Sequence, residues 1–312
     1  MLATIDTARF QAFLAVAEHG SFTAAAAALH ISQPAVSQHV AKLEREVGAV
    51  LLERSARRVV LTPAGEVLLH HARRLLTGLD DARRELAAVA RADSGRLRLA
   101  VFPSAAATFV PAALARLLAA FPKVNVAMSE LDPPLALPRL LGGDADMAVV
   151  YDYPIISGPP DPRLVREQLA LDPMAVAVPA GTVLASRPEI TPADLATHSW
   201  IAPGPSQCRD ALDEACRRAA IAPRVVSETN DYQAMLRMVG AGIGIAVVPR
   251  MVAALAPAGT VVLRPLARTR LQRAVALVYR AQVALTPAMD LVRTLMAQAV
   301  QDEFAVPMPA AA

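Results

Sequence analysis

The chain is poor in cysteine, in lysine, in histidine beyond residue 71, and in long apolar runs. Each shortage removes a class of protein. Cys208 and Cys216 are the only cysteines. Their spacing suits one face of a helix, too far apart along it for a bridge. That excludes a disulfide scaffold, fits a reducing cytoplasm, and makes both thiols read as small core residues. Of the six histidines, at 19, 30, 39, 70, 71 and 198, one lies beyond residue 71. A zinc site or a catalytic triad in the long C-terminal part is therefore not expected. There is no Gly-x-Gly-x-x-Gly after a strand, no Walker loop and no Gly-x-Ser-x-Gly elbow. The glycine-rich "GAGIG" at 240–244 precedes a strand-like run, where a nucleotide loop would follow one. No catalytic residue, metal or cofactor is expected. No stretch of about 18 residues is uniformly apolar, so no membrane span is expected. The N-terminus, with Asp6 and Arg9 early, lacks a basic segment leading into an apolar core, so no secretion signal is expected. Lysine occurs only at positions 42 and 123, against many arginines and alanines, which reads as a GC-rich codon bias.

What is present is the composition of a folded chain. Hydrophobic residues make up 54% and charged residues 19%, which argues against disorder. A length of 312 residues suggests about two to three domains. The net charge is only +3, so a basic surface for nucleic acid would have to be local. Three textures follow one another. Residues 1–63 are helical and dense in cap signals. Residues 64–92 read as one long helix, in which Val67, Leu68, His71, Leu75, Leu79, Ala82, Leu86 and Val89 recur at three and four residues. A helix of roughly 40 Å, at about 1.5 Å per residue, with so narrow a seam meets a partner helix or its own domain. A dimerisation linker is the reading adopted. Residues 95–303 alternate short apolar strands with helices, which predicts an α/β region with a largely parallel sheet. Residues 304–312 read as a flexible tail.

The most informative stretch is 20–48, "GSFTAAAAALHISQPAVSQHVAKLEREVG". Ser21 can cap a helix whose inner face would be Ala24, Ala25, Ala28 and Leu29. A break follows at His30-Ile31. Ser32 can cap the next helix, with Pro34 in its first turn, where a missing N–H costs nothing. There Val36, Val40 and Leu43 face the core at helical spacing, and Gln33, Ser37, Gln38 and Lys42 occupy other faces. Gly48 stops the helix. Two short helices and a tight turn make a helix-turn-helix, whose second helix suits the major groove. Gln and Ser can read base edges while arginines hold phosphates. Arg54, Arg57 and Arg58 follow, between strand-like pieces at Val50–Leu52 and Val59–Leu61. That arrangement is a wing with a basic tip.

These residues carry a resemblance. The stretch "FQAFLAVAEHGSFTAAAAALHISQPAVSQHVAKLEREVGAVLLERSARRVVLTPAG" closely resembles the N-terminal domain of LysR-type transcriptional regulators. Shared are the phenylalanine-led first helix, Gly-Ser-Phe, paired alanines, Ser-Gln-Pro, Leu-Glu and Thr-x-Ala-Gly; Leu52 stands where the family usually has phenylalanine. The resemblance implies a winged helix-turn-helix on double-stranded promoter DNA, with Gln33, Pro34, Ser37 and Gln38 facing DNA and Arg54 on the backbone. It implies a homotetramer built from dimers, a stable dimer being the other option, and a location at the nucleoid. It also implies that 95–303 is a two-lobed effector-binding domain. Each lobe would be Rossmann-like, the pair resembling a type 2 periplasmic binding protein. Lobe I would be about 95–165 with 267–303, and lobe II about 166–266.

Ligands of open parallel sheets bind beyond the carboxyl ends of the strands. Those ends place Ser104 and Ala105, Glu130, Asp132 and Pro133, Tyr151, and Pro203 with Ser206 as candidates for a small-molecule effector. Asp231 and Asn230, ahead of "QAMLRMVGAG", are candidates for the cleft edge. The serine at the first strand end commonly touches the effector in similar regulators, so Ser104 leads. A solute-binding protein shares the two-lobed design, but the attached helix-turn-helix and the lack of a secretion signal count against it.

Overall fold

The computed structural model describes residues 6–54, 59–90, 94–156, 158–159, 161–267, 269 and 271–305. Two compact units divide it, the first made of residues up to 90 with 141–144 and the second of the rest.

The first unit opens with three helices, α1 (Thr7–His19), α2 (Phe22–Leu29) and α3 (Gln33–Val47). Side-chain caps start all three: Asp6 accepts from the Ala8 N–H, Ser21 from Ala24 and Ser32 from Ala35. Gly48 ends α3 in the left-handed region at φ 69°. Val36, Val40 and Leu43 are buried against Phe10, Phe13 and Val16 of α1, as their spacing predicts. In α2 the buried residues are Ala25 and Ala26 rather than Ala24 and Ala28. Phe22 packs on the core from the first helical position and turns the inward stripe to 22, 25, 26 and 29.

The wing is an antiparallel pair, β1 (Leu52–Arg54) and β2 (Val59–Leu61), with Leu52 opposite Leu61 and Arg54 opposite Val59. β1 begins two residues later than the expected Val50–Leu52, for a local reason. The Glu44 carboxylate accepts the N–H groups of Leu51 (2.8 Å) and Leu52 (3.3 Å), so Val50 and Leu51 belong to the exit from α3. Thr62 closes the wing: its N–H reaches Leu51 O, its hydroxyl donates to Val50 O, and its Oγ accepts the Gly65 N–H. The long helix α4 (Pro63–Ala90) follows, proline leading. Ala64, Leu68, Leu69, Ala72 and Leu76 pack back on the domain, while Val67, Leu75 and Leu79 are exposed.

The second unit is built on a seven-stranded mixed sheet. Its elements are β3 (Ser94–Val101), α5 (Pro103–Ala107), α6 (Val110–Ala120), β4 (Lys123–Glu130), α7 (Pro133–Gly142), β5 (Met147–Asp152), β6 (Leu164–Pro179), α8 (Pro192–Leu195), β7 (Ser199–Ala202), α9 (Gln207–Arg218), β8 (Arg224–Glu228), α10 (Tyr232–Gly240), β9 (Ala246–Pro249), β10 (Val261–Pro265), β11 (Gln272–Arg280) and α11 (Pro287–Ala305). β4, β3 and β5 are parallel. β11 runs antiparallel to both β5 and β6, and β9 and β10 run antiparallel to β6. The expectation of a largely parallel sheet is thus corrected to a mixed one. β11, which comes late in the chain, fills the place between β5 and β6 and runs against both of them, so its hydrogen bonds on either side are antiparallel.

The long strand β6 ties two lobes together. It pairs with β11 as far as Pro173 and with β9 and β10 from Met174 onward. Alternation serves both faces of the first lobe. Met147, Val149 and Tyr151 of β5 join the core that includes residues of α6 and α11, and Ala148 and Val150 pack with Ala136 and Leu140 of α7. In the second lobe Ala175 and Ala177 meet Met235, Leu236 and Val239 of α10. α11 continues to Ala305, into the expected tail, because Arg250 donates to Phe304 O and lies 5.3 Å over its ring. Residues 306–312 lie outside the described residues.

Gly65 is a point where only hydrogen fits, since a Cβ there would stand 2.1 Å from Leu51 O. Gly65→Ala is expected to destabilise the first unit by about 1–3 kcal/mol through overpacking. Calorimetry of the full chain checks this. Trp200, the single tryptophan, sits in the second unit, and its fluorescence transition should not move.

Candidate nucleic-acid interface and interlobe cavity

The start of α3 presents a polar row. Ser32, Gln33, Pro34, Gln38 and Lys42 are exposed and Ser37 is half-buried; Pro34, Gln38 and Lys42 lie away from the face that carries Val36, Val40 and Leu43, and Gln33 is exposed at the helix start. Helical spacing separates the faces: one period of apolar residues anchors the helix, and the residues between remain outside. Gln33 and Pro34 lie in the first turn, the end of a recognition helix that reaches base edges. Arg54 ends β1, and nothing is described of its side chain; Arg57 and Arg58 lie outside the described residues.

In the second unit a cavity of about 50 Å³ opens where the strand ends of the two lobes converge. The first lobe supplies Phe102, Pro103 and Ser104 after β3, Asp132 after β4, and Tyr151 at the end of β5; the second supplies Pro203 and Ser206 after β7 and Thr229, Asn230 and Tyr232 after β8. Arg273 enters from β11, whose antiparallel course brings its first residues to the same end.

Arg273 organises the floor. It is 1% exposed, and Asp172, its partner on β6, is 0% exposed. Nε donates to Asp172 at 2.8 Å, and Nη2 reaches Ser104 Oγ at 3.0 Å and the Met251 sulfur at 3.4 Å. The guanidinium carbon lies 5.0 Å from the Phe102 ring centre and 5.3 Å from that of Tyr151, within cation–π range. Asp172 also accepts the Met251 N–H, at 3.0 Å. Burial works against the Arg273 charge, but the Asp172 carboxylate outweighs it and holds the guanidinium protonated above its ordinary range. One cross-strand pair thus joins Ser104 in the first lobe to Met251 in the second.

The tyrosine phenols around Arg273 stay neutral. Burial, assisted by the Asp132 charge, pushes the Tyr151 phenol well above its usual range, and its hydroxyl donates to Asp132 at 3.1 Å. Burial, with Cys208 nearby, raises Tyr153 and Tyr232 likewise. Both cysteines are free and buried on α9. Burial pushes the Cys216 thiol up to about 11, the state of an inert core residue.

Of the effector candidates, Ser104, Asp132, Tyr151, Pro203 and Ser206 line the cavity, and Ala105, Glu130, Pro133 and Asp231 do not. Ala105 turns into the hydrophobic core. Glu130 is exposed at the end of β4. Pro133 is buried as the first residue of α7. Asp231 caps α10, accepting from Gln233 and Ala234; its neighbour Asn230 does line the cavity. Arg273, Phe102, Thr229, Tyr232 and Met235, which strand-end reasoning does not reach, also line it, as does Cys208, expected only as a core residue. Arg273 carried a signal: a charge inside the apolar run "LQRAVALVY", matched by Asp172 inside "LALDPMAVAV". Buried charges of this kind require a partner. "GAGIG" has a packing role instead. A Cβ on Gly244 would stand 2.6 Å from Ser199 O, so glycine lets this segment hydrogen-bond along β7.

A winged helix-turn-helix followed by a two-lobed α/β domain with an interlobe cavity defines a ligand-responsive DNA-binding protein. Residues 7–66 match the bacterial regulatory helix-turn-helix model of the lysR family, and residues 90–301 match the LysR substrate binding domain. The chain belongs to the LysR family of transcriptional regulators. It is 31% identical to the regulator AlsR of Bacillus subtilis over 255 residues, 78% of this chain and 80% of AlsR. The crystal structure of full-length CbnR with its target DNA superposes with a TM-score of 0.64 at 26% identity, covering 94% of this chain and 99% of CbnR. A full-length OxyR variant from Pseudomonas aeruginosa shares the fold, with a TM-score of 0.71 at 21% identity over 95% of this chain and 94% of OxyR. Regulators of this family bind promoter DNA and small-molecule effectors and oligomerise. Among the described residues no helix is long and apolar enough to cross a membrane.

Asp172→Asn strands the Arg273 charge in an apolar interior, and breaking a buried pair costs about 3–5 kcal/mol. Urea unfolding followed through Trp200 is expected to show that loss. A change under about 1 kcal/mol would mean that the guanidinium finds other compensation.

Proposed function

We propose that this protein regulates transcription by reading promoter DNA with the first turns of α3, under the control of a small molecule in the interlobe cavity. The carrying observation is the pairing of two surfaces in one chain: the exposed polar row Ser32, Gln33, Pro34, Gln38 and Lys42, and a cavity floored by a buried arginine. Ser37 at the margin of the row and Arg54, Arg57 and Arg58 of the wing complete the DNA contacts. Ser104, Asp132, Tyr151, Pro203 and Ser206, with Arg273, form the effector site.

The exposed stripe Val67, Leu75 and Leu79 on α4 supports self-association through paired linker helices, as a dimer or a dimer of dimers. Reduced, buried thiols and a DNA partner fit the cytoplasm, at the nucleoid. Control operates by population shift. An effector that favours one arrangement of the lobes changes the angle between linker helices and so the bend of the DNA.

The test is an anisotropy titration against the DNA upstream of the protein's own coding region, with random-sequence competitor, at two salt concentrations. A complex that survives the higher salt over competitor supports the reading; binding no tighter than to random DNA counts against it. Gln33→Ala is expected to relax preference at one base position by about 1–3 kcal/mol and to leave non-specific binding nearly intact. An equal loss on every sequence would remove Gln33 from base reading. Arg54→Ala should weaken binding to all sequences and flatten the salt slope by about one unit. An unchanged slope would place Arg54 off the backbone.

A further inference from the structure

Resting on the cavity as the effector site, we propose that it selects a small carboxylate that also carries a hydrogen-bond donor, with Arg273 as the specificity-determining residue. A guanidinium offers five N–H donors and is always charged. In Arg273, Nε is held by Asp172 and Nη2 by Ser104 and the Met251 sulfur. The two donors on Nη1 have no hydrogen-bond partner among the described residues, although the side chain is almost fully buried and lines the cavity. Left unmatched in an apolar setting, such donors are costly, and a carboxylate oxygen satisfies them best.

Ser104 points the same way. Its Oγ accepts from Arg273, which leaves its own proton to donate to a ligand oxygen beside Nη1. The start of α9, with Ser206 as N-cap on the cavity wall, adds the positive end of a twelve-residue helix. Asp132 restricts the remainder of the ligand. Its carboxylate accepts the Tyr151 hydroxyl and stands on the cavity wall. It repels a second negative group and accepts a hydroxyl or amine. Phe102, Pro103, Pro203 and Met235 supply apolar wall between these ends. The ligand is therefore a monocarboxylate with a donor, and not a dicarboxylate. Its carboxylate joins a cation already bonded to Ser104 in one lobe and, through Asp172, to Met251 in the other.

Thermal shift and titration calorimetry on the full chain test this with matched probes. These are 2-hydroxybutyrate, 2-hydroxybutyramide and 1-amino-2-butanol; 4-hydroxybenzoate and 4-hydroxybenzamide; and succinate. At least one monocarboxylate is expected to stabilise the protein, and its amide, the amine and succinate are not. Ser104→Ala should weaken that carboxylate about tenfold. The double variant Asp172→Asn/Arg273→Gln leaves no charge buried alone, and should lose the response while Trp200 keeps its native emission. An amide or amine that stabilises equally overturns the carboxylate class and leaves the cavity as the effector site. A carboxylate response intact in both variants overturns the role of Arg273. A panel silent throughout, from a preparation that still binds DNA, overturns the inference without touching the regulator reading.

Discussion

The ion pair between Asp172 and Arg273 is the constraint on which the second unit depends. It lies where β6 leaves β11 and takes up β9 and β10, the point at which one strand passes from lobe to lobe. Two charges in an apolar interior are tolerated only when each is matched and hydrogen-bonded. Asp172 meets this with Arg273 and the Met251 N–H; Arg273 meets it with Asp172, Ser104 and two aromatic faces. The pair adds little as a source of stability, because desolvation offsets much of the attraction. Its value is positional. It brings the ends of strands from both lobes to one place, and it puts a cation on the wall of the cavity they enclose.

The first unit is held by a different device. Its three helices are short, and their inner faces are built largely from alanine, valine and a few phenylalanines. Such helices are marginal alone and require their ends to be satisfied. Asp6, Ser21, Ser32 and Thr62 do this with side-chain oxygens, and Glu44 does the equivalent for the chain entering β1. Because capping and core packing use specific positions, residues between them on α3 stay on the outer surface. The same logic explains why Thr62, Pro63 and Gly65 occur together: a cap, a residue needing no N–H partner, and the one side chain small enough to pass Leu51 O.

Legibility followed the range of the interactions. The caps at Ser21 and Ser32, the stripe Val36, Val40 and Leu43, and the stop at Gly48 are local and were readable from spacing. The inner face of α2 was misread by one position because Phe22, and not an alanine, sets its rotation. The wing strand β1 was displaced because a carboxylate one element away captures two of its N–H groups. Ser104, Asp132, Tyr151, Pro203 and Ser206 share one cavity wall because they follow strand ends, which can be located from the sequence. Asp231 lies off the cavity wall and caps α10; a cap and a ligand contact are the same residue type at the same kind of position, and spacing does not separate them. Arg273 was passed over because its partner is 101 residues away along the chain.

By itself, then, the amino-acid sequence determined the winged helix-turn-helix, the long helix after it, the α/β character of the remainder and the family to which the chain belongs. These rest on periodicity, caps and turn residues acting within a few positions. The tertiary structure alone decided the mixed order of the sheet, the point at which β6 changes lobes, and the meeting of Ser104, Asp172 and Arg273 around one cavity. Strand pairing and buried-charge pairing join residues far apart in the chain, and no local pattern records which of the possible partners will be the one that desolvation forces together.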